Sequence, residues 1–575
     1  MPSVEWYPGL ICGPVAITES VIFLRGAGGQ DRYATFSRSE QAIRQSNQQR
    51  SENPGASEFW PAPFWFTGRF VFLLIVSIVA LMWIAFILHD LVRVFGPVDF
   101  PMWVSLFGDS RPIEWLQWFL LVIITVLAGF LSGKLTGRPA RFFLLIAFSA
   151  ALIFVEDSSD LRYMLYLEYS SAAFGSEIAG WGTRIVSDLT FSLAIMILPA
   201  YTLIRYGGAI SHFSVPRNFM LAGFGLYALA AVLSALRHVD GFYHDLGVRI
   251  DAWLMFGRWP SSLHVPPDMT YFHVVDAFLK ENLEVLGAAC FLGMVLSYAW
   301  LHRNAPNRPP APGIDASPGL LRVDGRTAFL AIASFVAVTW LLVLVFDLIQ
   351  IIGPLDRPVW EQVFHNNRPA EWVQWSTLLI GAVLSANLAA RLHGDAARFF
   401  FVMAFALALI FFEDASDLRH VLFYEYWTPR FGDDISGIPT RVVSDTIYFG
   451  AIALVPIFAV LRYWLAVWPV ESTRRYLVTG FIFFALAGGL SAIRHLGDLY
   501  INIGAWMDAN LFASRWPYPD WMSEDRAHFY VMDSFMEETF ETLGAACLLA
   551  MVLSFASYWR TSRESSASPP LDPPR

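Results

Sequence analysis

The chain has 575 residues, 56% of them hydrophobic and 16% aromatic, with only 15% charged and a formal net charge of −10. Soluble domains carry roughly 25% charged residues, so this composition excludes a disordered chain, a secreted disulfide scaffold and an ordinary cytosolic enzyme. The acidic balance excludes a nucleic-acid partner, which would need a basic face. What remains is a polytopic protein whose partner is the lipid bilayer.

In chain order, the first 25 residues hold Glu5, Pro8, Pro14 and Glu19 and no basic n-region, so no secretory signal is expected. Residues 1–64 read as a largely flexible cytoplasmic tail. Apolar segments then fall near 70–92, 114–134, 141–166, 184–206, 217–239 and 272–302. About 20 residues at 1.5 Å rise cross a ~30 Å hydrocarbon core, so each can span. A Pro-rich linker follows at 305–321, and the six segments recur 257 residues later before a flexible tail at 562–575.

The recurrence is direct. RPIEWLQW (111–118) returns as RPAEWVQW (368–375), EDSSDLR (156–162) as EDASDLR (413–419), SALRH (234–238) as SAIRH (491–495) and LGAAC at 286–290 and 543–547. Between 141–169 and 398–426, 18 of 29 positions are identical. The expected fold is therefore an all-α integral membrane protein of about twelve transmembrane helices, built as two parallel six-helix repeats, residues 65–304 and 322–561. An even number of helices per repeat makes the copies parallel, related by an axis along the membrane normal. With both termini cytoplasmic, that side holds 23 Lys and Arg against 12 Asp and Glu, and the other side 16 against 37. The positive-inside rule supports this orientation in a bacterial-type inner membrane.

Charges shared by the copies gather at the outer helix ends. The acids are Asp90, Glu114, Glu156, Asp157, Asp160, Asp188, Asp276, Glu281 and Glu284, recurring as Asp347, Glu371, Glu413, Asp414, Asp417, Asp445, Asp533, Glu538 and Glu541. The cations are Arg111, Arg162, Arg184 and Arg237, recurring as Arg368, Arg419, Arg441 and Arg494, with His238 and His495 beside them. Only about 15 residues, or roughly 22 Å of helix, separate Arg141 from Glu156. Glu156 and Asp157 thus lie within a ~30 Å core, where ionisable groups cost about 2.5–3.5 kcal/mol each and should face a bundle interior or a wet cavity.

Arg–carboxylate pairs can staple helices in register. Nine acids against four arginines per copy leave five negative charges in excess, however. Protonated carboxylates, a bound cation or a basic solute would each balance them. The copies share one histidine and no paired-histidine metal motif, so an oxygen-rich site for Mg²⁺, Mn²⁺ or Ca²⁺ fits better than zinc. Cys12, Cys290 and Cys547 can form neither a disulfide framework nor a cysteine-only metal site.

The EDxxD element resembles the aspartate-rich Mg²⁺-diphosphate motif of prenyl-transferring enzymes, with Glu in place of the first Asp and no second motif. That resemblance implies metal and diphosphate on Glu156, Asp157 and Asp160, and on Glu413, Asp414 and Asp417. The 6+6 plan, with the basic turn GKLTGRPAR at 133–141, is similar to major facilitator transporters, although the family's acidic residue in that turn is missing.

Three functions follow as expectations. The first is a transporter of a cation or of a proton-coupled or basic solute, with the carboxylates and His238 and His495 binding or relaying the ion and the arginines balancing charge. The second is a Mg²⁺- or Mn²⁺-dependent enzyme acting on a lipid or isoprenoid phosphate, with Arg162, Arg184 and Arg237 as phosphate clamps. The third is a structural protein whose ion pairs are only staples. LGAAC reads as a packing face, and Trp115, Trp118, Trp372 and Trp375 as interfacial belt anchors. Lys280 is replaced by Glu537 in the second copy, so no symmetric mechanism should need it. The segments 240–271 and 497–528 could form lids or packed hairpins.

Overall fold

The computed structural model describes residues 59–567 except 95–100, 109, 160, 179–180, 240, 258, 260–266, 305–322, 354, 356, 366–367, 417 and 519–521. The tail before residue 59, the linker and the last residues therefore lie outside the described part, as do Asp160 and Asp417.

Among the described residues, twelve helices are long and apolar enough to cross a bilayer, so the chain is an integral membrane protein in contact with lipid. They are α1 Gly68–Leu91, α2 Met102–Lys134, α3 Gly137–Ser158, α4 Thr183–Ala209, α5 Ser214–Leu236, α6 Met269–Arg303, α7 Gly325–Leu348, α8 Val359–Arg391, α9 Gly394–Ala415, α10 Thr440–Ala466, α11 Glu471–Ile493 and α12 Glu524–Ser562. From α7 to α11, each begins 257 residues after its counterpart among α1 to α5.

Burial divides them into two kinds. α2, α6, α8 and α12 are mostly enclosed, whereas α1, α7 and α10 present most of their apolar surface outward. A helix apolar all round is at home in either setting, in the core or against lipid. The core centres on α2 and α8. There Gly129 and Gly133, spaced i, i+4, face Ala386 and Ala390 of α8 across a close contact. Small residues let the two backbones approach, as in small-xxx-small membrane pairs. A Cβ on Gly133 would strike the Asn387 carbonyl, and fully buried Asn387 donates to Ser132 Oγ at 2.7 Å. Phe154 and Phe411 meet with ring centroids 5.0 Å apart.

LGAAC packs as expected: a Cβ on Gly287 would meet the Tyr227 ring, and one on Gly544 the Phe484 ring. The segments after α5 and α11 fold into helices Phe242–Ile250 and Leu499–Leu511. Each is pinned by an aspartate that accepts a tryptophan backbone N–H, Asp251 from Trp259 at 3.0 Å and Asp508 from Trp516 at 2.9 Å. Both tryptophans are buried, so the described parts of these segments pack against the bundle.

Candidate functional site

The chemistry lies where the helices lose regular α geometry. π-helical turns stand at Val274–Lys280 ahead of Glu281 and at Val531–Glu537 ahead of Glu538. Such turns often mark functional positions because they re-aim the side chains that follow. The entry to the second span is also specific. Pro112 opens the regular helix, where its missing N–H costs nothing, and Glu114 reaches back to the backbone N–H of Ser110.

These elements enclose a cavity of about 360 Å³. The first half contributes Glu114, Glu156, Asp157, Asp188, Asp276 and Glu281, together with Arg162, Arg184, Arg237, His238 and Lys280. The second half contributes Glu371, Trp375 and Asp414. A smaller cavity of about 30 Å³ shares Glu156 and is lined further by Gln117, Glu284, Ser192, Tyr227 and Ser234. Of the other sequence candidates, Glu413, Asp445, His495, Asp533, Glu538 and Glu541 do not line either cavity, nor do Arg111, Arg368, Arg419, Arg441 and Arg494.

In the first half the centre is Lys280, only 8% exposed. Its Nζ lies 2.8 Å from Glu281 Oε1, 3.2 Å from Glu284 Oε2 and 3.8 Å from Asp157 Oδ1. Trp118 donates to Asp157 Oδ2 at 2.7 Å, and Gln117 to Glu284 at 3.3 Å. The arginines work around this centre. Arg237 pairs with Asp276 at 2.9 Å, and Arg162 reaches Glu156 at 3.5 Å and Ser234 at 2.7 Å. Burial lowers the Arg162 pKa, but Glu156, Asp188 and Asp276 outweigh it and raise it above the usual value. His238 meets Asp188 at 2.9 Å. Arg184 makes no ion pair among the described residues and lies over the Tyr163 and Tyr166 rings. Arg111 crosses to Glu425 of the second half at 3.2 Å.

The second half wires the same residue types differently. Arg494 binds Glu537 through both carboxylate oxygens at 2.9 and 3.0 Å and Asp533 at 2.5 Å. Burial lowers its pKa, and Glu537 and Asp533 reverse that effect and raise it well above the usual value. Tyr500 also donates to Glu537 at 2.9 Å. Arg419 stands 3.9 Å from Glu413, and His495 lies 3.9 Å from Asp445. Arg441 lies over Phe423 and Tyr424. Asp414 accepts from Gln374 at 2.8 Å and Trp375 at 2.6 Å, and Glu541 accepts from Gln374 at 2.9 Å.

One sequence reading needs correction, and the structure adds a residue that the shared charges left out. Trp118 and Trp375 are 2% and 4% exposed, so they are not belt anchors; their indole N–H groups hold buried aspartates. Lys280, set aside because the second copy lacks it, is the only cation at the middle of the first-half carboxylates among the described residues. Asp90 is a cap, accepting the Met102 and Trp103 backbone N–H groups at 2.8 Å, and Asp347 repeats the motif on Val359 and Trp360.

A metal could be held where Glu114, Asp157 and Glu281 converge, with one oxygen from each within 4.8 Å of the others. Ligands at about 2.0–2.6 Å from a hard cation lie up to ~4–5 Å from each other, so the spacing fits Mg²⁺, Mn²⁺ or Ca²⁺. Glu281 Oε2 is buried and has no hydrogen-bond partner among the described residues. Three carboxylates and the Lys280 ammonium leave two negative charges, which a divalent ion would match. No family model matches the chain, and no curated protein or solved structure matches it.

Proposed function

We propose that the chain is a membrane transporter that admits a cation through the carboxylate-lined cavity, with Glu114, Asp157 and Glu281 as its first ligands. The observation that carries this reading is the convergence of these three carboxylates inside a helix bundle, with Glu281 Oε2 buried and unpartnered. An unmet buried acceptor is costly unless something fills it. The smaller cavity beyond Glu156, with Gln117, Glu284, Tyr227 and Ser234, offers polar groups for the next step inward. The remaining sequence candidates act in this reading as charge balance and as relay.

The same proposal includes two parallel six-helix repeats, 65–304 and 322–561, with both termini on the cytoplasmic face of a bacterial-type inner membrane. Contacts between residues and their own counterparts support it: Gly129 with Ala386, Gly133 with Ala390 and Phe154 with Phe411. Positions beside a two-fold axis touch their equivalents. Two such contacts along α2 and α8 and one between α3 and α9 fit an axis running with the helices.

The reading of a metal-dependent enzyme on a lipid phosphate draws on Arg184, which lines the cavity without an ion pair among the described residues. The other two clamps it needs are engaged, Arg162 with Glu156 and Arg237 with Asp276. The test is calorimetric titration of the full chain in detergent with Mg²⁺, Mn²⁺ and Ca²⁺, followed by uptake of the bound ion into proteoliposomes. Saturable binding and uptake are expected, with Glu281→Gln weakening binding by at least ~10-fold. Binding without uptake would remove the transport reading, and absence of binding would remove the divalent site.

A further inference from the structure

The two halves place the same three carboxylates in the same context, but only one half supplies their cation. Asp157, Glu281 and Glu284 surround the Lys280 ammonium at 3.8, 2.8 and 3.2 Å. Their counterparts 257 residues on are Asp414, Glu538 and Glu541, and the counterpart of Lys280 is Glu537. Glu537 turns away to Arg494 and Tyr500. Among the described residues, no Lys, Arg or His forms an ion pair with Asp414, Glu538 or Glu541.

Among the described residues the second half leaves acceptors unmet, as the first half does at Glu281 Oε2 and Gln117 Oε1. Glu538 is nine-tenths buried, and its Oε2 has no hydrogen-bond donor. It stands in the field of Glu371, Glu541 and Asp414. Gln374 is 1% exposed; its amide N–H groups hold Asp414 and Glu541, while its Oε1 has no donor. Buried acceptors of this kind call for N–H donors, and a primary ammonium offers three or more around one compact charge. Asp414 and Glu371 line the large cavity, so this cluster lies beside the space that a solute would enter.

We infer that Asp414, Glu538 and Glu541, with Gln374, form a binding site for a free primary ammonium, either the ammonium ion or a protonated primary amine, in the place that Lys280 fills permanently in the first half. The inference rests on reading the carboxylate end as a cation site, but it does not require the divalent ion proposed above. The first half then carries its monovalent cation on a tether, and the second takes one from solution.

The test uses the full chain in detergent, titrated by calorimetry with ammonium and with methylammonium chloride. Choline chloride, which has no N–H donor, and potassium chloride serve as controls, and thermal unfolding is read in parallel. One ammonium per chain is expected to bind and to raise the unfolding temperature, with no comparable effect of choline or K⁺. Glu537→Lys, which places an ammonium on the chain, should remove the binding. Lys280→Met should raise the stoichiometry to two. Because Glu537→Lys disturbs Arg494, the isosteric Glu538→Gln is the second arm and should also lose binding. Methylammonium binding like ammonium assigns amines as ligands, and exclusion of methylammonium assigns the ammonium ion. Equal binding of K⁺, absence of binding in the wild type, or binding unchanged in Glu538→Gln would each overturn the inference. Mg²⁺ titration of the same variants separates this result from the divalent reading, since Glu538→Gln should leave Mg²⁺ binding intact.

Discussion

Positions 280 and 537 stand 257 residues apart at the ends of two like π-helical turns, yet one is lysine and the other glutamate. In the first half the lysine gathers Asp157, Glu281 and Glu284, and Arg237 pairs with Asp276. In the second half the glutamate captures the arginine instead, and Arg494 holds both Glu537 and Asp533. One change of sign therefore rewires a whole cluster while the helices around it keep their bounds. Nine shared carboxylates face four arginines and Lys280 in the first half, and the same nine types plus Glu537 face four arginines in the second. Two stretches with matching motifs and helix bounds can carry electrostatically unlike clusters when packing is set by small and apolar residues and charge by a single position.

The strongest way to break this comparison is to remove the lysine. Lys280→Met keeps the unbranched apolar stem and leaves three buried carboxylates without their cation. Removing one partner of a buried ion pair costs about 3–5 kcal/mol, so a loss of that order is expected in chemical or thermal unfolding without added cations. Methylammonium should recover part of it. Glu537→Gln is the matched change. Arg494 keeps Asp533, so the cost should be nearer that of one charge-assisted hydrogen bond, about 1.5–3 kcal/mol. Equal losses in the two variants would mean that the halves are wired alike.

Much of the fold was legible in the sequence because it depends on hydropathy and length. The number of spans and the 257-residue spacing of the elements follow from the apolar runs, whereas the second and eighth spans begin at Met102 and Val359, ahead of the expected 114 and 371. The placement of ionisable residues at one end of the helices was legible for the same reason, since a bilayer confines charges to helix ends and cavities. The wiring was not. Counting only charges shared by both copies discarded Lys280, the residue that organises the first-half carboxylates. Trp118 and Trp375 read as belt anchors because tryptophan near a membrane interface commonly is one. Glu114 and Trp118 stand four residues apart on one helix face, but the partner helix that brings Asp157 to Trp118 was not legible. The spacing Gly129–Gly133 against Ala386–Ala390 was also present as a small-xxx-small pattern, and it is the signal that could have located the contact between the halves.

That contact gives the next test. Gly133 and its counterpart Ala390 differ by one methyl group, and the Ala390 methyl occupies the space beside Gly133. Gly133→Leu would drive a branched side chain into the Asn387 backbone and should cost about 1–3 kcal/mol through overpacking. Gly450→Leu in α10 is the control, because a Cβ there meets nothing within 4 Å; it should be neutral or slightly stabilising by helix propensity. Similar unfolding midpoints for the two variants would remove the close approach of α2 and α8 from the account.

The smallest expected effect separates the two histidines. His238 sits 2.9 Å from Asp188, and His495 stands 3.9 Å from Asp445. Around His495, burial first and then Arg441, Arg494, Arg419 and His420 push its pKa down to about 3. An unfolded chain holds histidine near the ordinary value of ~6.5. Between those limits the unfolded state binds more protons than the fold, so this histidine lowers stability as pH falls from about 6.5 toward 3. The slope must stay well under the ~1.4 kcal/mol per pH unit of one whole proton, because the ring is partly exposed and screened. His495→Asn keeps a polar group of similar reach and removes the titration. The variant's unfolding midpoint should therefore fall less than that of the wild type between pH 7 and pH 5. Parallel midpoints would mean that the arginines do not depress His495, and that the second half has not redirected its cations as Glu537 requires.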